Sequence, residues 1–426
     1  MNPSMAIYER ESNVRSYCRD CDVVFATAQG AVIEDVEGRQ FIDFFAGAGS
    51  LNYGHNNPRL KKELLDYIQQ DGITTTLDFH SAAKSRFIEQ FERIILTPRG
   101  MNYKLQFTGP TGTNAIEAAL KLARKITGRT CIAAFTHAFH GVTLGSLALT
   151  ANADKRAVSG VELSNVVRLP YDGFLGRDID IAHIIETMFS STGAGFEPPA
   201  AIILEVVQGE GGLNCARPQW LQRIQQLCRA SGALLIIDDI QAGCGRTGTF
   251  FSFESADISP DIICLSKSIS GYGLPMSLVL IKPEHDQWAP GEHNGTFRGN
   301  NTAFVTAAAA LSYWQDNAFE RSIAQRSAVL RLALEKIIAH SPPEAVRIVG
   351  RGLFMGLRFG NSRRASRLSA ECLSQGLLVE TCGPLNEVLK LMPPLTIDLP
   401  VLERGLDILK RAYLSTLHNE SSRGIA

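Results

Sequence analysis

Three short apolar runs, each leading into a charged residue, place the strongest limit on how this chain can fold. The runs cover residues 200–204, 233–237 and 262–265. Uninterrupted apolar runs of this length are typical of parallel strands buried on both faces, and with the helical stretches between them they predict an α/β fold with a mostly parallel sheet. Ligand sites in such sheets lie beyond the carboxyl ends of the strands. We therefore expect the charged residues after the runs, Glu205, Asp238 and Lys267, to converge.

Lys267 carries the most chemical information of the three. It follows an apolar run and precedes a turn that contains Gly271 and Gly273, although lysines are almost never fully buried without a partner. The placement is understandable if the amine is a reactant that holds a carbonyl cofactor. The alternative is a lysine whose ammonium reaches solvent at the strand end. The residue by itself does not decide between these interpretations.

Residues 108–114 form a turn of small residues before a helical stretch at 115–124. Small residues at a helix start let backbone N–H groups approach an anion, and the helix dipole favours its charge. The turn therefore predicts a phosphate site. The alternative is an ordinary loop capped by Thr113 or Asn114. It is not a Walker loop, because no Gly-Lys-Ser/Thr sequence closes it.

Taken in order along the chain, these segments resemble the class III, or ω-amino, aminotransferases, which use pyridoxal 5′-phosphate. The matching segments are residues 38–43, 54–58, 108–114, 139–141, 205–212, 238–248, 265–273, 295–297 and 392–396. Residues 108–129, 238–254 and 265–301 are similar to the 2,4-diaminobutyrate aminotransferases of that family, which serve ectoine, siderophore and related pathways. The resemblance implies fold type I, with a large domain around the parallel sheet and a small α+β domain.

The resemblance also implies roles for particular residues. Lys267 would hold the cofactor through its amine and act as the general base, and Asp238 would keep the pyridine nitrogen protonated. The implied contacts with the rest of the cofactor come from Gly112 and Thr113 (phosphate), Phe139 and Ile240 (ring faces), Gln241 (phenolic oxygen) and Thr296 (phosphate of the neighbouring subunit). The last contact implies a homodimer with shared active sites. His140 is a candidate for orienting the cofactor ring beside Phe139; the alternative is a packed histidine.

Two departures from the family concern the substrate carboxylate. Val142 stands where many relatives have a carboxylate-binding arginine, and Lys390 stands where they have an arginine paired with a glutamate that matches Glu210. Lys390 can still pair with Glu210, but it lacks the bidentate fork of arginine. We hypothesise that Arg298 supplies a cation across the dimer interface; the alternative for Arg298 is a structural salt bridge.

The implied reaction moves the amino group of L-glutamate to L-aspartate 4-semialdehyde and gives L-2,4-diaminobutyrate and 2-oxoglutarate. It is reversible and ping-pong, with the cofactor passing through pyridoxamine phosphate. Two alternatives stay open. The chain could be another ω-aminotransferase, acting on ornithine, 4-aminobutyrate or a polyamine, or a decarboxylase or aminomutase of the same fold.

The same reasoning divides the chain into three parts. Residues 1–51 are expected to be an N-terminal segment of the small domain, 52–302 the large cofactor-binding domain, and 303–426 a linking helix and the C-terminal small domain. The helical pattern from Ala303 to about His340 is unbroken and predicts one long helix between the domains. Residues 346–350 and 353–359 predict a hairpin.

Composition excludes several other classes of protein. The net charge of −1, from 42 Lys and Arg against 43 Asp and Glu, gives no basic surface for nucleic acid. The apolar runs are too short to span a bilayer, and the amino terminus lacks a secretory signal. Nine cysteines spread along the chain fit reduced thiols, so we expect a cytoplasmic protein. No second pair complements the Cys18–Cys21 motif, so no metal site is predicted.

Overall fold

A seven-stranded sheet forms the centre of the fold in the computed structural model, which describes residues 3–342 and 345–422. The described strands are β1 (Phe25–Gln29), β2 (Val32–Asp35), β3 (Gln40–Asp43), β4 (Lys104–Phe107), β5 (Ile132–Phe135), β6 (Val166–Leu169), β7 (Ala201–Leu204), β8 (Val207–Gln208), β9 (Asn214–Cys215), β10 (Leu234–Asp238), β11 (Ile262–Leu265), β12 (Leu278–Ile281), β13 (Val346–Arg351), β14 (Phe354–Phe359), β15 (Leu377–Leu378), β16 (Glu380–Cys382) and β17 (Val388–Leu391).

Helices cover both the central sheet and the smaller sheets. The described helices are α1 (Pro3–Arg10), α2 (Tyr17–Asp20), α3 (Ala46–Gly49), α4 (Pro58–Gln69), α5 (Ala82–Phe91), α6 (Gly112–Thr127), α7 (Leu144–Leu149), α8 (Ala153–Ala157), α9 (Ile181–Ser190), α10 (Pro218–Ser231), α11 (Asn301–Leu311), α12 (Ala318–Ile338), α13 (Ser362–Ser374) and α14 (Leu399–Ser422). Among the residues described, none of these helices combines the length and the apolar character needed to cross a membrane.

The order of strands in the central sheet is β4-β12-β11-β10-β7-β5-β6. The pairings β11–β10, β10–β7, β7–β5 and β5–β6 are parallel, and β12 is antiparallel to both of its neighbours. The prediction of a mostly parallel sheet is therefore confirmed. The three apolar runs form the adjacent strands β7, β10 and β11, in which every residue is buried. Their carboxyl ends consequently lie next to one another at one edge of the sheet.

Two smaller sheets involve the carboxyl-terminal part of the chain. The predicted hairpin is present as β13 and β14, in a four-stranded antiparallel sheet of order β13-β14-β17-β16. The other sheet has the order β1-β2-β3-β15, in which Leu377 pairs with Ile42. The amino-terminal strands thus share a sheet with a strand from far along the chain, as a common small domain would require. The domain boundaries themselves stay predictions.

The prediction of one unbroken helix from Ala303 to about His340 is wrong. The segment consists of α11, a 3-10 turn at Ser312–Trp314, and α12, which begins only at Ala318. Trp314 is buried and donates a hydrogen bond of 2.8 Å from Nε1 to the Tyr53 hydroxyl. The Asp316 carboxylate accepts the Ala318 N–H at 2.7 Å and starts the second helix. The chain leaves the helical path because burial of this tryptophan outweighs the local helical preference.

Candidate active site

A cavity of about 260 Å³ lies at the carboxyl ends of β7, β10 and β11. The residues that line it are Gly112, Thr113, Phe139, His140, Gly141, Val142, Glu205, Val207, Glu210, Asp238, Ile240, Gln241, Ala242 and Lys267. The structure therefore brings together in one chain the predicted lysine, the predicted carboxylates and most of the predicted cofactor residues. The sequence places them up to 155 residues apart, from Gly112 to Lys267.

Lys267 begins a 3-10 turn directly after β11 and has a left-handed backbone, with φ of 52°. This conformation is unfavourable for a residue with a side chain, and the surrounding structure holds it. The Ser268 hydroxyl donates to the Gly49 carbonyl at 2.7 Å and accepts the Asn52 N–H at 3.0 Å. Burial lowers the pKa of Lys267, against the opposing effect of Glu210. A lowered pKa favours the neutral amine, which is the nucleophilic form.

Asp238 ends β10 with its carboxylate buried in the cavity wall. Its Oδ1 accepts the Ile240 N–H at 3.2 Å, and its Oδ2 lies 2.7 Å from Nδ1 of His140, which donates to it. His140 is a candidate for orienting a cofactor ring, and in the structure its ring contacts the Asp238 carboxylate. Its Nε2 is buried, with no hydrogen-bond partner within the described part of the chain. The Asp238 carboxylate is thus held in one orientation from two sides.

Glu205 follows β7 and differs from Asp238 in its expected charge. Burial and the neighbouring Asp238 carboxylate raise the pKa of Glu205 well above its ordinary value. Its Oε2 lies 3.5 Å from the Phe139 backbone N–H. Two adjacent buried carboxyls do not both ionise readily, and the raised pKa of Glu205 favours its protonated form.

The amino terminus of α6 opens into the same cavity. The first N–H groups of a helix have no acceptor within it, and the Thr111 side chain makes no capping hydrogen bond here. A Cβ atom on Gly112 would lie 3.0 Å from Cδ1 and 3.1 Å from Cγ2 of Ile240, so a larger residue would crowd this wall. Free N–H groups at a helix start suit a phosphate. A phosphorylated ring with a basic nitrogen and a carbonyl carbon therefore fits the donors from α6, the Asp238 carboxylate and the Lys267 amine.

Glu210, which lines the cavity and is partly exposed, forms an ion pair with the fully buried Lys390, with Nζ 2.8 Å from Oε1. A second carboxylate, Glu380, lies 2.7 Å from the same Nζ. Burial would raise the pKa of Glu210, but the charges of Lys390 and Lys267 outweigh it and lower that pKa to about 2. Burial would likewise lower the pKa of Lys390, and the two carboxylates raise it instead. The pair is therefore ionised at neutral pH.

Glu380 is the residue of this site that sequence reasoning missed. It lies on β16 directly opposite Lys390 on β17, and a cross-strand register of this kind is not readable before the strands are paired. Gln241, which was predicted, connects this cluster with the cavity. Its Nε2 donates to the Ala48 carbonyl at 2.9 Å and lies 3.5 Å from Glu210 Oε1.

Thr296 and Arg298, which were also predicted, do not line the cavity of their own chain. Thr296 is exposed, and the neighbouring Phe297 is 71% exposed. Arg298 pairs with Asp78 of the same chain, with 3.0 Å between Nε and Oδ1. Val142, at the position of the absent arginine, lines the cavity and is 59% exposed.

Comparison with known proteins gives matches over nearly the whole chain. Residues 16–413 match the family model described as aminotransferase class-III. A protein of Halalkalibacterium halodurans is 53% identical over 409 residues, which are 96% of each chain. A protein of Vibrio cholerae is 55% identical over 405 residues, which are 95% of this chain and 98% of the relative. Both relatives carry the name diaminobutyrate--2-oxoglutarate transaminase.

Solved structures agree on the fold. The ornithine aminotransferase from Toxoplasma gondii has a TM-score of 0.85 at 25% identity, over 98% of this chain and 94% of its own. A transaminase from the marine bacterium Virgibacillus has a TM-score of 0.86 at 20% identity, over 97% of this chain and 98% of its own. At 20% identity, the similarity to the Virgibacillus transaminase supports the fold alone.

Proposed function

The chain belongs to the class-III aminotransferases, and from this membership we infer that it transfers the amino group of L-glutamate to L-aspartate 4-semialdehyde, giving L-2,4-diaminobutyrate and 2-oxoglutarate. The cofactor is pyridoxal 5′-phosphate. The reaction class is carried by one observation: Lys267, whose pKa is lowered by burial, shares a cavity with the Asp238 side chain and the open start of α6. The choice of substrates is supported by relatives named diaminobutyrate--2-oxoglutarate transaminase, which are more than half identical to this chain over almost its whole length. They favour diaminobutyrate over ornithine, the substrate in the name of the 25% identical structure.

When bound, the cofactor supplies a carbonyl carbon that exchanges amines and a ring that accepts electrons from the substrate carbon. Gly112 and Thr113 would hold its phosphate through backbone N–H groups. The Asp238 carboxylate would keep the ring nitrogen protonated, because a nearby negative charge favours the charged form of that nitrogen. The hydrogen bond from His140 fixes the direction in which this carboxylate faces.

Lys267 moves the protons of the reaction. Its Nζ would take the proton from the α-carbon of glutamate and pass it to C4′ of the cofactor in one half-reaction. In the other it would take a proton from C4′ and deliver one to C4 of diaminobutyrate. The left-handed turn bonded to Gly49 and Asn52 keeps the amine in the cavity during both steps. Burial supports this role, because it lowers the pKa of Lys267 and so favours the uncharged base.

The two substrates differ at the carbon that bears the reacting amine, and the ion pair of Glu210 with Lys390 offers a way to accept both. Glutamate carries a carboxylate on that carbon, whereas C4 of diaminobutyrate carries none. Glu210 lines the cavity with its side chain 31% exposed, and Lys390 behind it is fully buried. We propose that the pair stays closed for diaminobutyrate. It opens for glutamate, whose carboxylate then takes the place of Glu210.

A second copy of this chain is the expected partner. The surface near Thr296 exposes apolar side chains, among them Phe79 at 74% and Phe297 at 71%. An isolated antiparallel β-bridge between Thr75 and Asn300 joins the two segments that carry these phenylalanines. Contiguous exposed apolar surface of this kind is characteristic of protein interfaces. We propose that a homodimer covers it and brings Thr296 to the phosphate site of the other subunit.

Arg298→Leu tests whether Arg298 binds a substrate carboxylate across this interface. If it does, we expect the KM for glutamate to rise about tenfold, since a charged hydrogen bond contributes about 1.5–3 kcal/mol. Asp78→Asn is the matched control, because it removes the partner of Arg298 in its own chain and keeps the cation. The KM is measured by steady-state kinetics. An unchanged KM in the leucine variant would mean that Arg298 serves only in the ion pair with Asp78.

Absorbance spectroscopy during titration with L-2,4-diaminobutyrate tests the proposed function. We expect the long-wavelength absorbance of the bound cofactor to fall and to return when 2-oxoglutarate is added. A response to ornithine or 4-aminobutyrate, with none to diaminobutyrate, would discard the substrate and keep the reaction class. Release of carbon dioxide from the amino acid, without formation of 2-oxoglutarate from glutamate, would instead identify a decarboxylase.

A further inference from the structure

Glu380 contacts Lys390 without lining the active-site cavity. It lines a separate cavity of about 500 Å³, together with Tyr17 and Phe45. The Lys390 ammonium therefore lies between two carboxylates that face different cavities, Glu210 at 2.8 Å and Glu380 at 2.7 Å. The proposed switch uses only the first contact, so the second calls for its own explanation.

The two carboxylates differ in how firmly the fold holds them. Glu380 and Lys390 are cross-strand partners on β16 and β17, and directly opposed residues of paired strands lie side by side. Glu210 lies in the connection between β8 and β9, next to Gly209, Gly211 and Gly212. The Glu210 side chain faces the active-site cavity and is 31% exposed, whereas that of Glu380 is 10% exposed. Glu210 is therefore the carboxylate with room to move, and Glu380 is the one held beside the lysine.

We propose that Glu380 is a positioning residue, which keeps the Lys390 ammonium in place when Glu210 moves aside for the carboxylate of glutamate or 2-oxoglutarate. This inference rests on the proposed function. Lysine has a flexible stem and point-charge donors, unlike the rigid fork of arginine, so it needs a second contact to hold one position. Separation of a buried charge from its only partner is strongly unfavourable. Glu380 ensures that one partner stays.

The proposed positioning of Lys390 depends on an oxygen at position 380 that can accept a hydrogen bond. Burial, against the opposing effect of Lys390, raises the pKa of Glu380 to about 7. The carboxyl is therefore partly protonated at neutral pH, and in either state one of its oxygens can accept from the ammonium. A glutamine keeps such an oxygen, whereas a leucine of similar size does not.

The test compares Glu380→Gln, Glu380→Leu and the control Thr381→Val in the cofactor-loaded enzyme. Thr381 is the next residue of β16; it lines the same cavity as Glu380 and is paired with Leu389 instead of Lys390. Calorimetric titration with glutarate measures carboxylate binding without an amine to react. Single-turnover absorbance measures the half-reactions with glutamate and with diaminobutyrate.

In the leucine variant we expect glutarate to bind about tenfold more weakly or worse, with a matching loss of affinity for glutamate. The glutamine variant and the valine control should stay within about threefold of the parent, which is below the effect of one charged hydrogen bond. The half-reaction with diaminobutyrate should be unchanged in all of them. Glu380→Ala gives the same comparison if the leucine variant does not fold.

Unchanged glutarate binding in the leucine and alanine variants would overturn the inference. An equal loss in the glutamine variant would overturn it too, because the charge and not the acceptor would then matter. Equal losses toward glutamate and diaminobutyrate, or a loss in the Thr381→Val control, would reveal a general disturbance of the site and refute a role in carboxylate positioning. If the parent enzyme fails to react with either amino acid, the proposed function fails, while glutarate binding still reports on Glu380.

Discussion

Replacing Lys267 with alanine is expected to lower the rate of both half-reactions by about 10⁴-fold or more, since the variant loses both the covalent attachment of the cofactor and the general base. The cavity, the start of α6 and Asp238 remain, so the cofactor should still bind without its covalent link. Single-turnover absorbance with glutamate and with diaminobutyrate, at saturating cofactor, measures the loss.

Two further experiments distinguish a lysine that acts as the general base from one that has only a structural role. Lys267→Arg places a guanidinium of similar reach at this position, but a guanidinium does not lose its proton, and we expect this variant to be as inactive as the alanine variant. A small primary amine in solution should partly restore proton transfer to the alanine variant, because it can enter the space that the side chain leaves. An alanine variant within about a hundredfold of the parent rate would contradict the assigned role, because loss of a general base alone costs about 10²–10⁴-fold.

Replacing Asp238 with asparagine is expected to slow both half-reactions by about 10²- to 10³-fold, a usual cost for loss of one electrostatic contact at a reacting group. The amide keeps the shape of the side chain and an oxygen for the Ile240 N–H. It has no charge, so it no longer favours a protonated ring nitrogen. Cofactor affinity should change far less than the rate, and this contrast is measured by equilibrium titration beside single-turnover kinetics.

Asp239→Asn is the matched control for that experiment. Asp239 is the next residue, is fully buried, and accepts the Ser252 N–H at 3.1 Å without lining the cavity. Burial raises the pKa of Asp239 to about 7, so an amide replaces a carboxyl that is already partly neutral. Its rate should stay within a few-fold of the parent. Near-normal activity of Asp238→Asn, or an equal loss in Asp239→Asn, would remove the assigned role of Asp238.

The central sheet and the chemistry at its edge could be predicted because their signals are local. A run such as 262–265 indicates a buried strand without knowledge of its neighbours, and Lys267 directly after it indicates a reactive amine. The small residues before α6 similarly indicate a helix start that suits an anion. Since parallel strands end at one edge of a sheet, the order of these segments was enough to place Glu205, Asp238 and Lys267 near one another.

The helix break before Ala318 shows where a local signal fails. Alanine, leucine and arginine favour helix on both sides of it, and the sequence accordingly predicts one helix. Burial of Trp314 against Tyr53, which lies 261 residues away in sequence, decides the actual path. Local propensity is small for each residue, so packing of one large side chain can override it.

By itself the sequence determined the three central strands, the reactive lysine at the end of one of them, and the chemical types of the groups around it. Only the tertiary structure decided that His140 meets Asp238 and that Glu380 joins Glu210 at the single ammonium of Lys390. The physical reason is that periodicity and propensity record the burial of each segment. Contacts between side chains depend instead on the register and packing of segments that are distant in the chain.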